Sequence, residues 1–425
     1  MIRQTDRNFK FDWITIIIFL LLVGFGWLNI LSASHSGETI EYLDFSKSYG
    51  KQLLFILLTF VLIVMILSIE AKFYERFASI IYLASMLSLA GLFIFGKNVN
   101  GATSWYGIGG MTFQPSEFAK AATALAVAKY LSDLQTDIKT FKGQLQAFAI
   151  LVVPAILILL QNDAGSTLVY GSFIFVFYRE GLPHQYLTLL ISTVVMSILS
   201  LKFGGVVASI IAITLILTYH FTRKKKPVLI KSLLAILACT ILSFGVQFFY
   251  ENVLKAHQKD RISLWLRLEK DPDKIAEMRR DILYNLYESE KAIRSGGLSG
   301  RGFLEGTRTT GKFVPEQHTD YIFSTVGEEW GFMGTVTVVI LFVLLLLRVL
   351  HLAELQKSQF SRVYGYSVAS IIFFHFLINI GMVMGLIPTI GIPLPFFSYG
   401  GSSLWGFTIL LFIFIKLDSN RINEW

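Results

Sequence analysis

Residues 314–331, VPEQHTDYIFSTVGEEWG, place four carboxylic acids and a histidine directly before a long apolar run. A carboxylate beside an acceptor hydroxyl can act as the general base in a group-transfer reaction. Asp320 stands at the expected boundary between water and membrane and is the best placed of the four. At helical spacing, Glu328 and Glu329 would point about 80° and about 180° away from Asp320, so the three are not expected to face one pocket. A capping role for Thr319 or Asp320 at the start of a helix stays open.

A second polar group lies in NGATSWYGIGGMTFQPSEFAK, residues 100–120. Pro115 suits the first turn of a helix, and Glu117 and Lys120, three residues apart, would be neighbours on its surface. Charged side chains within membrane spans usually mark function. The alternative is a carboxylate at a helix start with a lysine that extends to the interface. Trp105 would then be an interfacial anchor.

Two further polar stretches and a glycine-rich one are open to more than one interpretation. In QNDAGSTLVYG, Asp163 precedes Gly165 in a short turn, as a site residue or as an Asx turn. The stretch GLIPTIGIPLPFFSYGGSSL, residues 385–404, must line a cavity or pack on protein, because its backbone could not face lipid unsatisfied. For SGGLSGRGFLEGT, residues 295–307, the spacing favours a flexible connection over a phosphate-binding loop.

The elements that must position these residues are membrane helices. The chain of 425 residues is 54% hydrophobic and 16% charged, with continuous apolar runs long enough to cross a bilayer. We therefore expect an all-α, polytopic membrane protein. The expected spans are residues 13–33, 50–69, 77–96, 114–132, 143–160, 166–180, 186–203, 205–221, 228–250, 319–348, 362–385 and 400–417. Gly204-Gly205 is either a turn between two short spans or a break within one irregular element.

The net charge of +8 does not indicate nucleic acid, because the basic residues cluster in short segments between spans. The positive-inside rule assigns such segments to the cytoplasm and predicts that both termini are cytoplasmic. The clusters are Arg3, Arg7 and Lys10; Lys72 and Arg76; Lys139 and Lys142; RKKKP at 223–227; and Lys357 and Arg362.

One segment, residues 251–318, is too polar to span and is predicted to be a large loop outside the membrane, within a single membrane domain of residues 1–425. Helical spacing predicts one apolar stripe in this loop. Its members are Ile275, Met278, Ile282, Leu286 and Ile293.

The five quoted stretches occur in the order found in the SEDS family, the shape, elongation, division and sporulation proteins, and the resemblance covers nearly the whole chain. IPLPFFSYGGSS resembles the elongation branch more than the division branch. The resemblance implies a peptidoglycan glycosyltransferase. Such an enzyme polymerises lipid II at the outer face of the bacterial cytoplasmic membrane, with a class B penicillin-binding transpeptidase and the elongation machinery as partners.

By motif, the resemblance makes Asp320 the essential carboxylate, Glu117 and Lys120 the polar pair of the cavity, and Trp105 its loop tryptophan. A divalent cation, Mg²⁺ or Mn²⁺, near Glu117 is implied by the chemistry and the family. With Trp105, the candidate substrate-binding residues are Gln114, Ser116, Asp163, Arg301, Arg308, His318 and Ser398.

The sequence departs from the family pattern in three places. Asn162 and Ala164 stand where the turn usually has proline and leucine, which suggests a less rigid turn, and ESEKAIR replaces a stretch usually rich in Gln, Lys and Ile. The family has ten spans, so the two extra ones imply an added hairpin within residues 186–227.

In the expected reaction, Asp320 deprotonates the acceptor hydroxyl and inversion occurs at C1. Lys120 or the cation, helped by Arg301 or Arg308, would stabilise the departing undecaprenyl diphosphate. Two alternatives are a transporter that flips lipid II, which would also need polar groups in a bundle, and a scaffold that only activates the transpeptidase. The scaffold does not account for Glu117 with Lys120.

Overall fold

The protein is described by a computed structural model that covers residues 11–35, 41–99, 101–108, 111–222, 229–254, 256–269, 271, 273–275 and 284–421. Within these residues, ten helices are long and apolar enough to cross a membrane. Helix Pro115–Leu131 and the broken helical segment 164–179 coincide with the other two predicted spans. The prediction of an all-α polytopic membrane protein is confirmed.

The helices before the large loop are α1 (Trp13–Ser34), α2 (Ser48–Ser68), α3 (Ala71–Phe95), α4 (Pro115–Leu131), α5 (Phe141–Leu160), α6 (Ala164–Val169), α7 (Phe173–Arg179), α8 (His184–Phe203), α9 (Gly205–Thr222) and α10 (Leu229–Asn252). The later helices are α11 (Ala256–Trp265), α12 (Tyr284–Gly296), α13 (Thr307–Thr310), α14 (Ile322–Glu329), α15 (Gly331–Glu354), α16 (Gln359–Val383) and α17 (Gly401–Ser419).

The chain forms two compact units. The first consists of residues 1–182, 288–384 and 390–425, and the second of residues 183–287 and 385–389. In the first unit, α16 and α17 are the most buried spans, and both pack against α4. Of the candidate site residues, Ser116, Glu117 and Lys120 lie on α4 within this group of helices.

In the second unit, α8, α9 and α10 pack against one another. Gly204 alone separates α8 from α9, with a φ of +88° that favours glycine. Met196 of α8 packs with Ala208 and Ala212 of α9. Because these residues could not meet along one straight helix, α9 folds back along α8. Residues 184–222 are therefore two helices joined by a tight turn, the extra hairpin that was expected. The basic run 223–227 lies outside the described residues.

A short antiparallel sheet, absent from the sequence-based expectation, joins α3 to α4. Its strands are β1 (Lys97–Val99), β2 (Ala102–Ile108) and β3 (Met111–Phe113), in the order β1-β2-β3. Trp105 pairs with Lys97, and Tyr106 pairs with Phe113. The amide of Thr103 donates to the carbonyl of Gln161 at 3.1 Å, which joins this sheet to the turn after α5.

The expected continuous span 319–348 is wrong in its first part. The chain is helical from Ile322 to Glu329, breaks at Trp330, and continues as α15 from Gly331, whose φ is +61°. Asp320 therefore precedes both helices and lies outside the membrane-length segment. The 80° and 180° spacing from Asp320 does not apply, because Asp320 is not helical.

The predicted apolar stripe of the large loop is also only partly correct. Met278 and Ile282 lie outside the described residues, and the buried residues of α12 are Glu288, Ser289, Ala292 and Gly296. Ile293 packs against Gly327, where an added β-carbon would lie 2.7 Å from its Cγ1. The buried face of α12 thus includes the polar residues Glu288 and Ser289, which the apolar stripe did not contain.

Candidate functional site

The backbone around Asp320 is bonded to two other parts of the first unit. The carbonyl of each of residues 318–320 accepts one hydrogen bond. In chain order, the donors are Tyr399 N at 2.9 Å, Ser398 Oγ at 2.7 Å and Asn379 Nδ2 at 2.8 Å. Asp320 does not cap α14, because the N-cap is Tyr321 and has no side-chain cap bond. The capping alternative for Asp320 is therefore wrong.

The carboxylate of Asp320 lies beside Gly391, a residue of the proline-rich stretch with a φ of +80°. Burial, and then the negative charges of Glu316 and Asp163, raise the pKa of Asp320 from 3.8 to about 7. A carboxyl group with this pKa exchanges a proton near neutral pH, which suits a general base.

Asp163 caps the helix that follows it, as the Asx interpretation predicted. Its Oδ1 accepts from Ser166 N at 2.9 Å, and its Oδ2 accepts from Ser166 Oγ at 2.8 Å and from Gln114 Nε2 at 3.1 Å. Asn162 has a φ of +63°, which asparagine tolerates and proline could not adopt. The turn therefore differs in backbone from one with proline there.

Gln114 and Ser116 serve to connect elements around this turn. The amide of Gln114 donates to Ser402 Oγ at 3.1 Å, which joins the start of α4 to the start of α17. The buried Ser116 hydroxyl lies 3.5 Å from Ser166 Oγ. Pro115 occupies the first turn of α4, as predicted. Gln114, Asp163 and Asp320 thus share one region, at the N-terminal ends of α4, α6 and α14.

Glu117 and Lys120 form a buried pair, each side chain 3% exposed. The Lys120 Nζ lies 2.8 Å from Glu117 Oε2, 3.0 Å from His375 Nε2 and 4.5 Å from the centre of the Phe407 ring. His375 Nδ1 lies 3.2 Å from the carbonyl of Pro393, which can only accept, so Nδ1 carries the proton and Nε2 accepts from Lys120. The interfacial-lysine interpretation is wrong for Lys120.

His375 was missed by the sequence analysis, although a histidine inside a span was an available signal. It lies one turn before Asn379 on α16, and both contact the proline-rich stretch, through the carbonyls of Pro393 and Ile392 respectively. This stretch packs on protein, as its sequence predicted, and it connects the Glu117–Lys120 pair to the Asp320 segment.

The geometry at Glu117 does not fit a metal ligand. Its carboxylate already binds the Lys120 ammonium, and no group of three or more His, Cys, Asp or Glu side chains converges anywhere in the described part of the chain. A hard divalent cation prefers several oxygen ligands.

Glu328 and Glu329 have partners away from Asp320, as expected. Glu328 accepts from the amides of Arg308 at 2.9 Å and Thr309 at 2.8 Å, so it caps the short helix α13 from a distance in sequence. Glu329 accepts from the hydroxyl of Ser32 in α1. Burial is the main cause that raises the pKa of Glu329 to about 7.

The glycine-rich stretch is packed, which overturns the expectation of a flexible connection. Gly300, with a φ of +82°, lies against the backbone of Glu329 and Trp330, and an added β-carbon would lie 2.7 Å from the Trp330 carbonyl carbon. A β-carbon at Gly306 would lie 3.0 Å from Glu329 Cγ. Glycine is needed here because two backbone segments approach closely.

The two candidate arginines differ in their availability. The Arg308 guanidinium is paired with Glu288. Arg301 is exposed, and its side chain donates to the Thr307 hydroxyl at 2.8 Å and the Ser295 carbonyl at 3.4 Å. Arg301 is therefore paired with neutral groups and keeps its charge for a ligand.

The remaining candidates are His318, Ser398 and Trp105. The ring of His318 lies 5.2 Å from that of Tyr399, and burial lowers the pKa of His318. The Ser398 hydroxyl is buried and used internally, because it donates to Thr319 and accepts from Leu394 N at 2.9 Å. Trp105 is half-buried in β2.

The fold and the site together define a polytopic helical membrane protein with a buried ion pair and a titratable carboxylate at helix N-terminal ends. The profile of the FtsW, RodA and SpoVE cell cycle proteins matches residues 12–226 and 202–423. The chain belongs to this family.

Several relatives are similar along nearly their whole length. The peptidoglycan glycosyltransferase RodA of Treponema pallidum is 31% identical, over 97% of this chain and 98% of the relative. The peptidoglycan glycosyltransferase MrdB of Escherichia coli is 30% identical, over 92% and 88%. A probable peptidoglycan glycosyltransferase FtsW of Bacillus subtilis is 28% identical, over 97% and 93%.

Two solved structures share the fold. A chain from a peptidoglycan synthase complex that coordinates polymerization and crosslinking aligns with a TM-score of 0.71 at 24% identity, over 97% of this chain and 99% of that one. RodA of Thermus thermophilus aligns with a TM-score of 0.61 at 23% identity, over 97% and 98%.

Proposed function

We propose that this chain is a peptidoglycan glycosyltransferase that polymerises lipid II into glycan strands. The curated relatives that match it over nearly their whole length carry this activity in their names. The single structural observation that carries the proposal is Asp320, a partly buried carboxylate with a pKa of about 7 in a backbone fixed by three hydrogen bonds.

The reaction proposed is an inverting glycosyl transfer. The ionised carboxylate of Asp320 takes the proton of the acceptor hydroxyl while that oxygen bonds to C1 of the donor sugar. The bond between C1 and the diphosphate oxygen breaks, and the leaving undecaprenyl diphosphate takes the electron pair. The elevated pKa of Asp320 favours this role, because a carboxylate with an ordinary pKa would be a weaker base.

The leaving diphosphate needs positive charge. Of the basic residues predicted for this role, Lys120 and Arg308 already neutralise Glu117 and Glu288. We therefore assign the diphosphate contact to Arg301, whose hydrogen-bond partners are neutral. A Mg²⁺ or Mn²⁺ ion that accompanies the diphosphate stays a prediction of the resemblance, without Glu117 as its ligand.

The proposed location is the bacterial cytoplasmic membrane, with both termini in the cytoplasm and Asp320 at the outer face, where lipid-linked sugars stand outside the bilayer. The proposed partner is a class B penicillin-binding transpeptidase. This is supported by the likeness to a chain from a complex that couples polymerization to crosslinking. Elongation is proposed over division on the motif IPLPFFSYGGSS.

The second candidate function is a flippase for lipid II. A flippase needs polar groups accessible in turn from both membrane faces. Here Asp320, Asp163 and Gln114 lie together at helix N-terminal ends, and the buried Glu117–Lys120 pair is bonded within the protein, with Lys120 also in contact with His375. These observations favour chemistry at one face.

The test is polymerisation of labelled lipid II by purified protein, alone and with a candidate transpeptidase, and product length read on gels. We expect long glycan from the wild type and none from Asp320→Asn, whose amide cannot take a proton at neutral pH. Because both proteins are purified identically, contaminating polymerases would appear in both. Glycan from the variant at the wild-type rate would remove Asp320 as the base.

A further inference from the structure

Asn379 is a fully buried asparagine of α16 whose side-chain amide bonds two segments distant in sequence. Its Nδ2 donates to the carbonyl of Asp320 at 2.8 Å and to the carbonyl of Ile392 at 2.7 Å. A side-chain amide has two N–H groups, so both are used. Without Asn379, the half-buried carbonyl of Asp320 and the buried carbonyl of Ile392 would lose these donors, which is costly.

These two bonds fix the two backbone segments that lie next to the Asp320 carboxylate. One fixes the backbone that carries Asp320, and the other fixes the residue next to Gly391. The carboxylate of Asp320 lies against Gly391, where an added β-carbon would be 3.1 Å from Oδ2. A single amide therefore holds both the backbone that carries the Asp320 side chain and the backbone next to Gly391.

We infer that Asn379 is a positioning residue that orients Asp320 for proton transfer. The inference rests on the proposed function, since it assigns Asn379 a part in that reaction. A general base must lie within hydrogen-bond reach of its proton, and small misplacements cost rate. Ser398 supports the same segment one residue earlier, through the Thr319 carbonyl.

The chain offers a matched control for the structural effect of losing a buried asparagine. Asn29 in α1 is also fully buried, and its Nδ2 donates at 2.8 Å to the carbonyl of Phe25 in its own helix. The Oδ1 atoms of Asn29 and Asn379 both lack a partner among the described residues. Replacing Asn29 by leucine removes a similar group without touching the Asp320 segment.

The experiment compares Asn379→Leu with Asn29→Leu in the purified protein with labelled lipid II, measuring kcat, KM and thermal stability. We expect Asn379→Leu to lower kcat by about 10- to 100-fold with KM within about threefold, because ground-state binding is retained while alignment is lost. Asn29→Leu should lower thermal stability to a similar extent and keep kcat near wild type. Ser398→Ala should lower kcat less than Asn379→Leu.

A wild-type kcat in Asn379→Leu, or equal losses of kcat in Asn379→Leu and Asn29→Leu, would overturn the inference. If Asn379→Leu does not fold, Asn379→Ala, which removes the same two donors without added bulk, decides, and an unchanged kcat in that variant overturns the inference. The Asp320→Asn protein distinguishes failure of the proposed function from failure of the inference about Asn379. Activity in Asp320→Asn, or no activity in the wild type, overturns the proposed function and the inference together. If the wild type is active and Asp320→Asn is inactive, the Asn379 variants test only the role of Asn379.

Discussion

The carboxylate of Asp320 lies beside Gly391, and a β-carbon added to Gly391 would lie 3.1 Å from Oδ2. Gly391 also has a φ of +80°, a conformation that other residues adopt only with strain. Glycine suits position 391 for two reasons. It adopts this backbone conformation without strain, and it leaves room for the carboxylate of the proposed base. Neither requirement depends on residues adjacent to Asp320 in sequence.

We predict that Gly391→Ala will lower the rate of polymerisation by about tenfold or more, because the carboxylate must move away from the methyl group. Gly204→Ala is the control for backbone strain, since Gly204 has a φ of +88° and nothing within 4 Å of an added β-carbon. Initial rates and melting temperatures of both variants check the prediction. Equal loss of rate in both would attribute the effect to strain alone.

The pH dependence of the rate should report the pKa of Asp320, which burial and the charges of Glu316 and Asp163 raise to about 7. A base must be ionised, so kcat/KM should rise about tenfold per pH unit below that pKa and level off above it. A base with the ordinary value of 3.8 would give a flat profile across this range. The measurement is kcat/KM from pH 5 to 9.

Glu329 is the control for this profile, because its pKa is also raised to about 7. Its carboxylate contacts Ser32 and has no part in the proposed reaction. The Glu329→Gln variant should keep the midpoint of the profile near pH 7. Loss of the acid limb in that variant would assign the titration to Glu329 and contradict the role of Asp320.

The Glu117–Lys120 pair should behave as a coupled structural unit. Removal of one partner leaves a buried charge, which typically costs about 3–5 kcal/mol. We therefore expect Glu117→Gln and Lys120→Met each to lower the melting temperature strongly, and the double variant to lower it by less than the sum. Thermal unfolding in detergent measures this cycle. Normal stability with complete loss of activity in all three proteins would indicate a chemical role instead.

The sidedness of the chain can be tested at two exposed residues in a Cys239→Ser background. Ser299 lies in the glycine-rich stretch, and Gln135 lies in the connection between α4 and α5. We expect Ser299→Cys to react with a membrane-impermeant maleimide in spheroplasts, and Gln135→Cys to react only after lysis. The reverse result would put Asp320 on the cytoplasmic side, where no glycan strand is built.

The sequence alone determined most of the membrane spans and the main polar residues, but not the sheet between α3 and α4 or the helix break at Trp330. The spans follow from continuous apolar runs, since a helix must satisfy its own backbone in lipid. The helix start at Pro115 and the Asx turn at Asp163 follow from local chemistry, because each involves residues within a few positions of one another. Asp320 stood out because its place at the expected boundary between water and membrane suits a general base.

Only the tertiary structure decided how these residues are arranged. Asn379 and Asp320, 59 positions apart, meet through a hydrogen bond that no local periodicity encodes. In the same way, the pairing of Lys120 with His375 showed that this lysine is saturated, and the contacts of Glu328 showed that it caps α13. Periodicity reports which face of a helix is apolar, whereas the partner of a buried polar group depends on which helices pack together. That packing brings Asn379 of α16 and Gly391 of the proline-rich stretch to Asp320.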